Sequence, residues 1–171
     1  MTEIKILNIE LGDESGIIQL LKETWLATYP NKEYNITRED ILKKDWGSKE
    51  RFEKWKKIIA ENGKNGVFNF VAKDGNKIVG FCQVVKEKDY NELKIIYVLP
   101  EHQGKGIGKM LANRAISLLD FSKDTIVEVV EYDKGAIEFY KKLGFVKFEK
   151  GKGHEVSNGK IMPTIRMNRR T

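Results

Sequence analysis

Apolar and polar positions recur along this 171-residue chain with two periods, near two and near 3.6, and they predict its elements. Ile4 to Ile9 alternates as a first strand. Asp13 or Ser15 starts a helix whose Ile17, Ile18, Leu20, Leu21, Trp25 and Leu26 form one apolar face, and Pro30-Asn31 ends it. Residues 37–62 predict one or two further helices. Thr37 suits the N-cap of the first, with Glu39 and Asp40 in its opening turn. Ser48 begins the second, whose Phe52, Trp55, Ile58 and Ile59 make a stripe that Asn62-Gly63 stops. Val67–Ala72 and Lys77–Val85 read as strands joined through Asp74-Gly75, a hairpin signal. Glu92 to Leu99 is another strand. Ile107, Met110, Leu111, Ala115, Leu118 and Leu119 then give a helix its buried side. Thr125–Val130 is β-rich. It leads into a helix with Ala136, Ile137, Phe139, Tyr140 and Leu143 on one face, Lys141 and Lys142 in its last turn, and Gly144 as its stop. Phe145–Phe148 reads as a strand, 150–160 as a mobile loop, and Ile161–Arg169 as the last strand.

The resulting order is β, α, α, β, β, β, α, β, α, β, β. It predicts a mixed α/β single domain over 1–171, with middle strands apolar on both faces as in a central mixed β-sheet flanked by helices. Composition agrees: 40% apolar and 33% charged residues are ordinary for a globular chain. No apolar run is long enough to span a membrane, so none is expected. Met1 to Glu10 alternates like a strand and lacks the form of a signal peptide. Cys82 is the only cysteine, which excludes an internal disulfide and a cysteine-rich metal site and makes a reduced cytoplasm the expected compartment. His102 and His154 are isolated and have no ligand spacing, so no metal is expected. The net charge of +6 is uneven, since 141–171 holds nine Lys/Arg against two Asp/Glu. Those basic residues are dispersed rather than blocked, and no recognised nucleic-acid-binding motif accompanies them, so nucleic acid is not an expected partner.

The most informative segment joins the 92–99 strand to the helix after it, through Pro100 and a turn with Gly104, Gly106 and Gly108. Such a turn lets backbone N–H groups converge on an anion, and the helix N-terminus adds partial positive charge. Phosphate is the expected ligand. A P-loop is excluded, because Gln103 stands where its first Gly belongs and Met110 where Ser or Thr must follow Lys109. The dinucleotide fingerprint fails as well, at Lys109 in one register and Leu111 in the other.

Gln-x-x-Gly-x-Gly does fit, as Gln103, Gly106 and Gly108. This run resembles the acyl-CoA-binding segment of the Gcn5-related N-acetyltransferase (GNAT) superfamily. Ala136-Ile-x-Phe139-Tyr140-x-x-x-Gly144-Phe145 resembles that family's second motif, and the element order resembles its fold over nearly the whole chain. More weakly, Thr24-Trp25-Leu26-Ala27-Thr28-Tyr29 and the helices before residue 62 resemble its polyamine-acetylating branch, typified by spermidine acetyltransferases.

The resemblance implies acetyl-CoA as co-substrate and a small-molecule or peptide amine as acceptor. It implies that Ile96, Tyr97 and Val98 pair through their backbones with the pantetheine arm, that the Val98 N–H polarises the carbonyl, and that Gln103, Gly104, Lys105, Gly106, Ile107, Gly108 and Lys109 surround the pyrophosphate. Tyr140 occupies the place of a thiolate-protonating tyrosine, and Glu92 that of a general base, with Tyr29, Asp45, Tyr97 and Glu131 as competitors. Asp133 stands where the family often has a cofactor-contacting Asn; it accepts but does not donate, and it suits a helix N-cap. Cys82 lies outside both motifs, so direct transfer within a ternary complex is expected. A non-catalytic acetyl-CoA-binding module is the alternative. Edge strands near the C-terminus would allow a homodimer.

Overall fold

The computed structural model describes residues 3–170. Its elements are β1 (Ile4–Asn8), α1 (Glu14–Thr28), α2 (Arg38–Leu42), α3 (Lys49–Ala60), β2 (Val67–Asp74), β3 (Lys77–Lys86), β4 (Asn91–Val98), α4 (Ile107–Ile116), β5 (Thr125–Val130), α5 (Lys134–Lys142), β6 (Val146–Lys150), β7 (His154–Ser157), β8 (Lys160–Met162) and β9 (Thr164–Arg169). A seven-stranded sheet runs in the order β1-β2-β3-β4-β5-β9-β6, and β7-β8 form a separate pair. All its pairings are antiparallel except β4 with β5. The sheet is therefore mixed, with helices on both sides as the apolar middle strands require.

Local chemistry explains the helix boundaries. The Thr37 hydroxyl accepts from the Asp40 N–H while the Asp40 carboxylate accepts from the Thr37 N–H, a reciprocal cap that begins α2. Ser48 caps α3 through the Arg51 N–H. Asp133 caps α5 through the Ala136 N–H at 3.0 Å. The two sheet faces are told apart by their neighbours. Gly80 lies against Leu111 of α4, whereas Phe81 meets Trp55 of α3 ring edge to ring at 5.5 Å.

Two features of β4 position the site. Its pairing with β3 skips Lys94, so that Leu93 faces Val84 but Ile95 faces Gln83. This bulge puts Glu92, Ile95 and Tyr97 on one face, the α1 side, where strict alternation would have separated Glu92 from the other two. The parallel pairing with β5 ends after Asn91–Thr125 and Glu92–Ile126, and the two strands then part.

The segment 150–160 is not a loop. It contains β7, hydrogen-bonded to β8, and Pro163 divides the expected final strand into β8 and β9. Tertiary contacts hold this hairpin. Lys160 Nζ sits 2.6 Å from buried Asp40 and donates to the Asn35 carbonyl, Lys44 donates to the Val156 carbonyl, and His154 packs edge-on to Trp25. Several basic residues of the C-terminal segment are spent this way: Lys160 on Asp40, Arg166 on Glu149, Lys141 on Glu138. Among the described residues, no helix is long and apolar enough to cross a membrane.

Candidate active site

A cleft of about 620 Å3 opens where β4 and β5 separate. Its walls are β4 from Lys94 to Val98, the turn before α4, β5 from Glu128 to Val130, and the apolar side of α5. In an extended strand a residue's N–H and C=O share an edge, and successive residues alternate. The Leu99 N–H bonds to Val79 of β3, so Val98 and Ile96 turn theirs toward the gap. This edge has no strand beside it beyond Glu92. It can take the amides of an extended ligand as a further strand would.

The phosphate-binding end follows from the glycines. Gly104 and Gly106 adopt φ of +75° and +82°, and a Cβ at either would meet nothing within 4 Å, so the concave side of the turn is open. Gly106 is the N-cap of ten-residue α4 and has no side chain to satisfy the first-turn N–H groups of Ile107, Gly108 and Lys109. These donors and the helix dipole fit an anion. The Gln103 amide donates to the Val98 carbonyl at 3.1 Å and ties the turn to the end of β4. Nearby, the largely buried His102 has Nε2 3.5 Å from Asp74, and its Nδ1 makes no hydrogen bond.

The structure gathers most of the sequence-derived candidates here. Ile96, Tyr97, Val98, Gln103, Gly104, Gly106, Ile107, Gly108, Lys109, Asp133 and Tyr140 all line the cleft. Lys105 does not line it and is exposed. Glu92 does not either, and instead lines an adjoining cavity with Tyr90, Ile126, Glu128, Lys152 and Arg166. Of the competitors for the base, Tyr29 and Tyr97 line the cleft, while Asp45 caps the Ser48 region and Glu131 is exposed.

Sequence reasoning missed Glu128, the wall shared by the two cavities. It is the single charged residue inside the otherwise apolar Thr125–Val130 strand, a signal that was available. Its Oε1 accepts from the Thr164 hydroxyl and from the Lys152 N–H at 3.1 Å, and both bonds leave Oε2 available. Gly151 permits that approach, because a Cβ there would fall 2.5 Å from Glu128 Oε1.

Three phenols, Tyr29, Tyr97 and Tyr140, line this end of the cleft, and a fourth, Tyr132, is tied to Tyr29. Tyr140 is 6% exposed, with its ring edge-on to Phe139 and Phe145. Burial pushes its phenol well above the ordinary value, with further upward contributions from Cys82, Tyr97 and Asp133. The Tyr29 and Tyr97 hydroxyls lie 2.8 Å apart, and Tyr132 donates to the Tyr29 carbonyl. Burial raises all three, Tyr132 to about 12, and the Asp133 carboxylate adds to each. A phenol so placed holds its proton, which suits an acid and not a base. Cys82 is fully buried, lies outside the cleft, and has its thiol pushed up by burial.

Comparison with known proteins places these observations. A family model described as "Acetyltransferase (GNAT) domain" matches residues 65–147. An uncharacterized N-acetyltransferase of Methanocaldococcus jannaschii is 32% identical over 143 residues, an alignment that spans 70% of this chain and 62% of that protein. The spermidine N(1)-acetyltransferase of Vibrio cholerae is 32% identical over 127 residues, 67% of this chain and 68% of that one. The structure of the PaiA N-acetyltransferase from Thermoplasma acidophilum, in complex with coenzyme A, superposes with a TM-score of 0.75 at 21% identity, covering 99% of this chain and 100% of that one.

Proposed function

Because the chain belongs to the GNAT acetyltransferase family, we propose that it transfers an acetyl group from acetyl-CoA to a primary amine by direct attack within a ternary complex. The observation that carries this reading is the continuity of the cleft. One open channel leads from the glycine turn, along the unpaired edge of β4, to Tyr140 and Glu128.

Each requirement of the chemistry meets a group in that channel. The co-substrate supplies a thioester acetyl group. The turn from Gln103 to Lys109 holds the pyrophosphate, with Lys109 adding charge from the cleft lining and the exposed Lys105 adding charge at longer range. Ile96 and Val98 fix the pantetheine arm, and the Val98 N–H, aimed into the gap, polarises the carbonyl. Glu128 takes a proton from the incoming ammonium, directly or through a water, with its second oxygen. Glu92, on the adjoining cavity, contributes negative charge on the acceptor side. As the C–N bond forms and the C–S bond breaks, Tyr140 protonates the sulfur. The burial that keeps its phenol protonated also disfavours a bare thiolate beside it. Of the two protons the ammonium loses overall, one offsets that given to sulfur and one leaves to water. Asp133 lines the cleft while capping α5, so its carboxylate works against phosphate there.

Tyr140 and Glu128 are groups that binding alone does not require, and they favour turnover over a binding-only module. Because the V. cholerae relative is named a spermidine N(1)-acetyltransferase, we include polyamines among the acceptors to test. Initial rates measured against both substrates test the direct mechanism. Intersecting double-reciprocal lines are expected, and parallel lines, the sign of a covalent acetyl-enzyme, would overturn it.

A further inference from the structure

The adjoining cavity, about 480 Å3, is built by strand register. Glu92 lies opposite Ile126 across the last paired rung of β4 and β5, and Glu128 lies opposite Arg166 across β5 and β9. A carboxylate, the opening gap, a second carboxylate and a guanidinium therefore follow one another across one face of the sheet. Lys152 arrives from the β6–β7 connection, anchored by its N–H on Glu128.

The charges are partly spent within the protein. Glu92 has Lys94 at 3.9 Å, and Arg166 pairs with Glu149 through Nη1 while its guanidinium stacks over Phe148 at 5.3 Å. Glu128 keeps one oxygen, and Lys152 forms no ion pair among the described residues. What remains for a ligand is negative charge beside the cleft, from Glu128 with Glu92 behind it, and one positive group a short way off. The rest of the Arg166 fork, held in plane by its stacking, reinforces the positive side.

We propose that this cavity is the acceptor pocket and that it takes a small zwitterion, an amine carrying a carboxylate within a few bonds, as in an amino acid, rather than a polyamine. The proposal rests on the acetyltransferase reading. Its ammonium sits against Glu128 at the mouth of the gap, where the thioester is attacked, and its carboxylate sits against Lys152 and Arg166. A polyamine bound by the same ammonium would bring its next positive charge toward those two cations, a like-charge approach that selects against it.

Paired acceptors that differ only by the carboxylate test this: lysine against cadaverine, and ornithine against putrescine, each assayed by thiol release from acetyl-CoA. The wild-type protein is expected to favour the amino acid of each pair by about tenfold in kcat/KM, the size of one favourable charge contact. Lys152→Glu, at an exposed position whose backbone bond to Glu128 is kept, is expected to shift the ratio toward the diamine by at least as much. Wild-type preference for the diamines, or a ratio that Lys152→Glu leaves unmoved, would overturn the proposal. Silence with all four acceptors would also overturn it. Silence together with failure to bind acetyl-CoA would overturn the acetyltransferase reading as well.

Discussion

Replacing Tyr140 with Phe separates chemistry from packing at one atom. The ring stays in place, edge-on at 5.2 Å to Phe139 and 5.7 Å to Phe145. Among the described residues no hydrogen bond holds the hydroxyl, so its removal strands no partner, and stability should change by no more than about 1 kcal/mol. For a chain of this length that is a shift of roughly 2–4 °C in Tm. Turnover should fall far more. A positioned acid or base contributes about 10²–10⁴-fold, roughly 3–5 kcal/mol of barrier. The assay is thiol release at saturating acetyl-CoA, with the cofactor Kd measured in parallel and expected to hold, since the proposed role puts the phenol at the sulfur and not at the phosphates. Burial keeps the phenol protonated, so the wild-type-to-variant ratio should be flat from pH 7 to about 10. Tyr97→Phe is the contrast. It breaks the 2.8 Å hydroxyl pair with buried Tyr29 and should cost about 1–3 kcal/mol of stability. A folded Tyr140→Phe protein with kcat within twofold of wild type would refute the assignment.

Three other outcomes follow from the same geometry. Glu128→Gln should lower kcat/KM by at least tenfold more than Glu92→Gln, read at fixed acetyl-CoA; the reverse ranking would move the base to Glu92. Asp133→Asn keeps the helix cap and removes a carboxylate from the cleft, so CoA affinity measured by calorimetry should rise, and a fall would show that the charge is tolerated. Tyr29, Tyr97, Tyr132 and Tyr140 have folded pKa values raised above the unfolded value near ~10, so their contribution to stability is intact below that pH and is lost as pH climbs through the folded values, about 12 for Tyr132. Phenolate absorbance should therefore show these four tyrosines ionising only above the ordinary range, and their free titration near ~10 in a folded protein would contradict that.

The parts of this molecule written in special residue types were legible in the sequence. The turn from Gln103 to Gly108, the Thr37 and Ser48 caps and the 125–130 strand all depend on local chemistry, and they appear where local chemistry puts them. What escaped depends on contacts distant in sequence. The β7–β8 hairpin has only Val156 and Met162 buried, too few for a periodic signal, and is held instead by Lys160 on Asp40 and His154 on Trp25. The face that Glu92 occupies turns on a bulge at Lys94, which nothing in that residue announces. The role of Glu128 follows from where β4 and β5 stop pairing, a property of two strands together.

The most direct measurement is thiol release from acetyl-CoA in the presence of a panel of primary amines, with the product identified by its added acetyl group. Release that requires both acetyl-CoA and an amine, and that is lost when Gly106→Glu places a carboxylate in the phosphate turn, is the expected result. Tight acetyl-CoA binding with no amine-dependent thiol release would contradict it and leave a protein that binds the cofactor without using it.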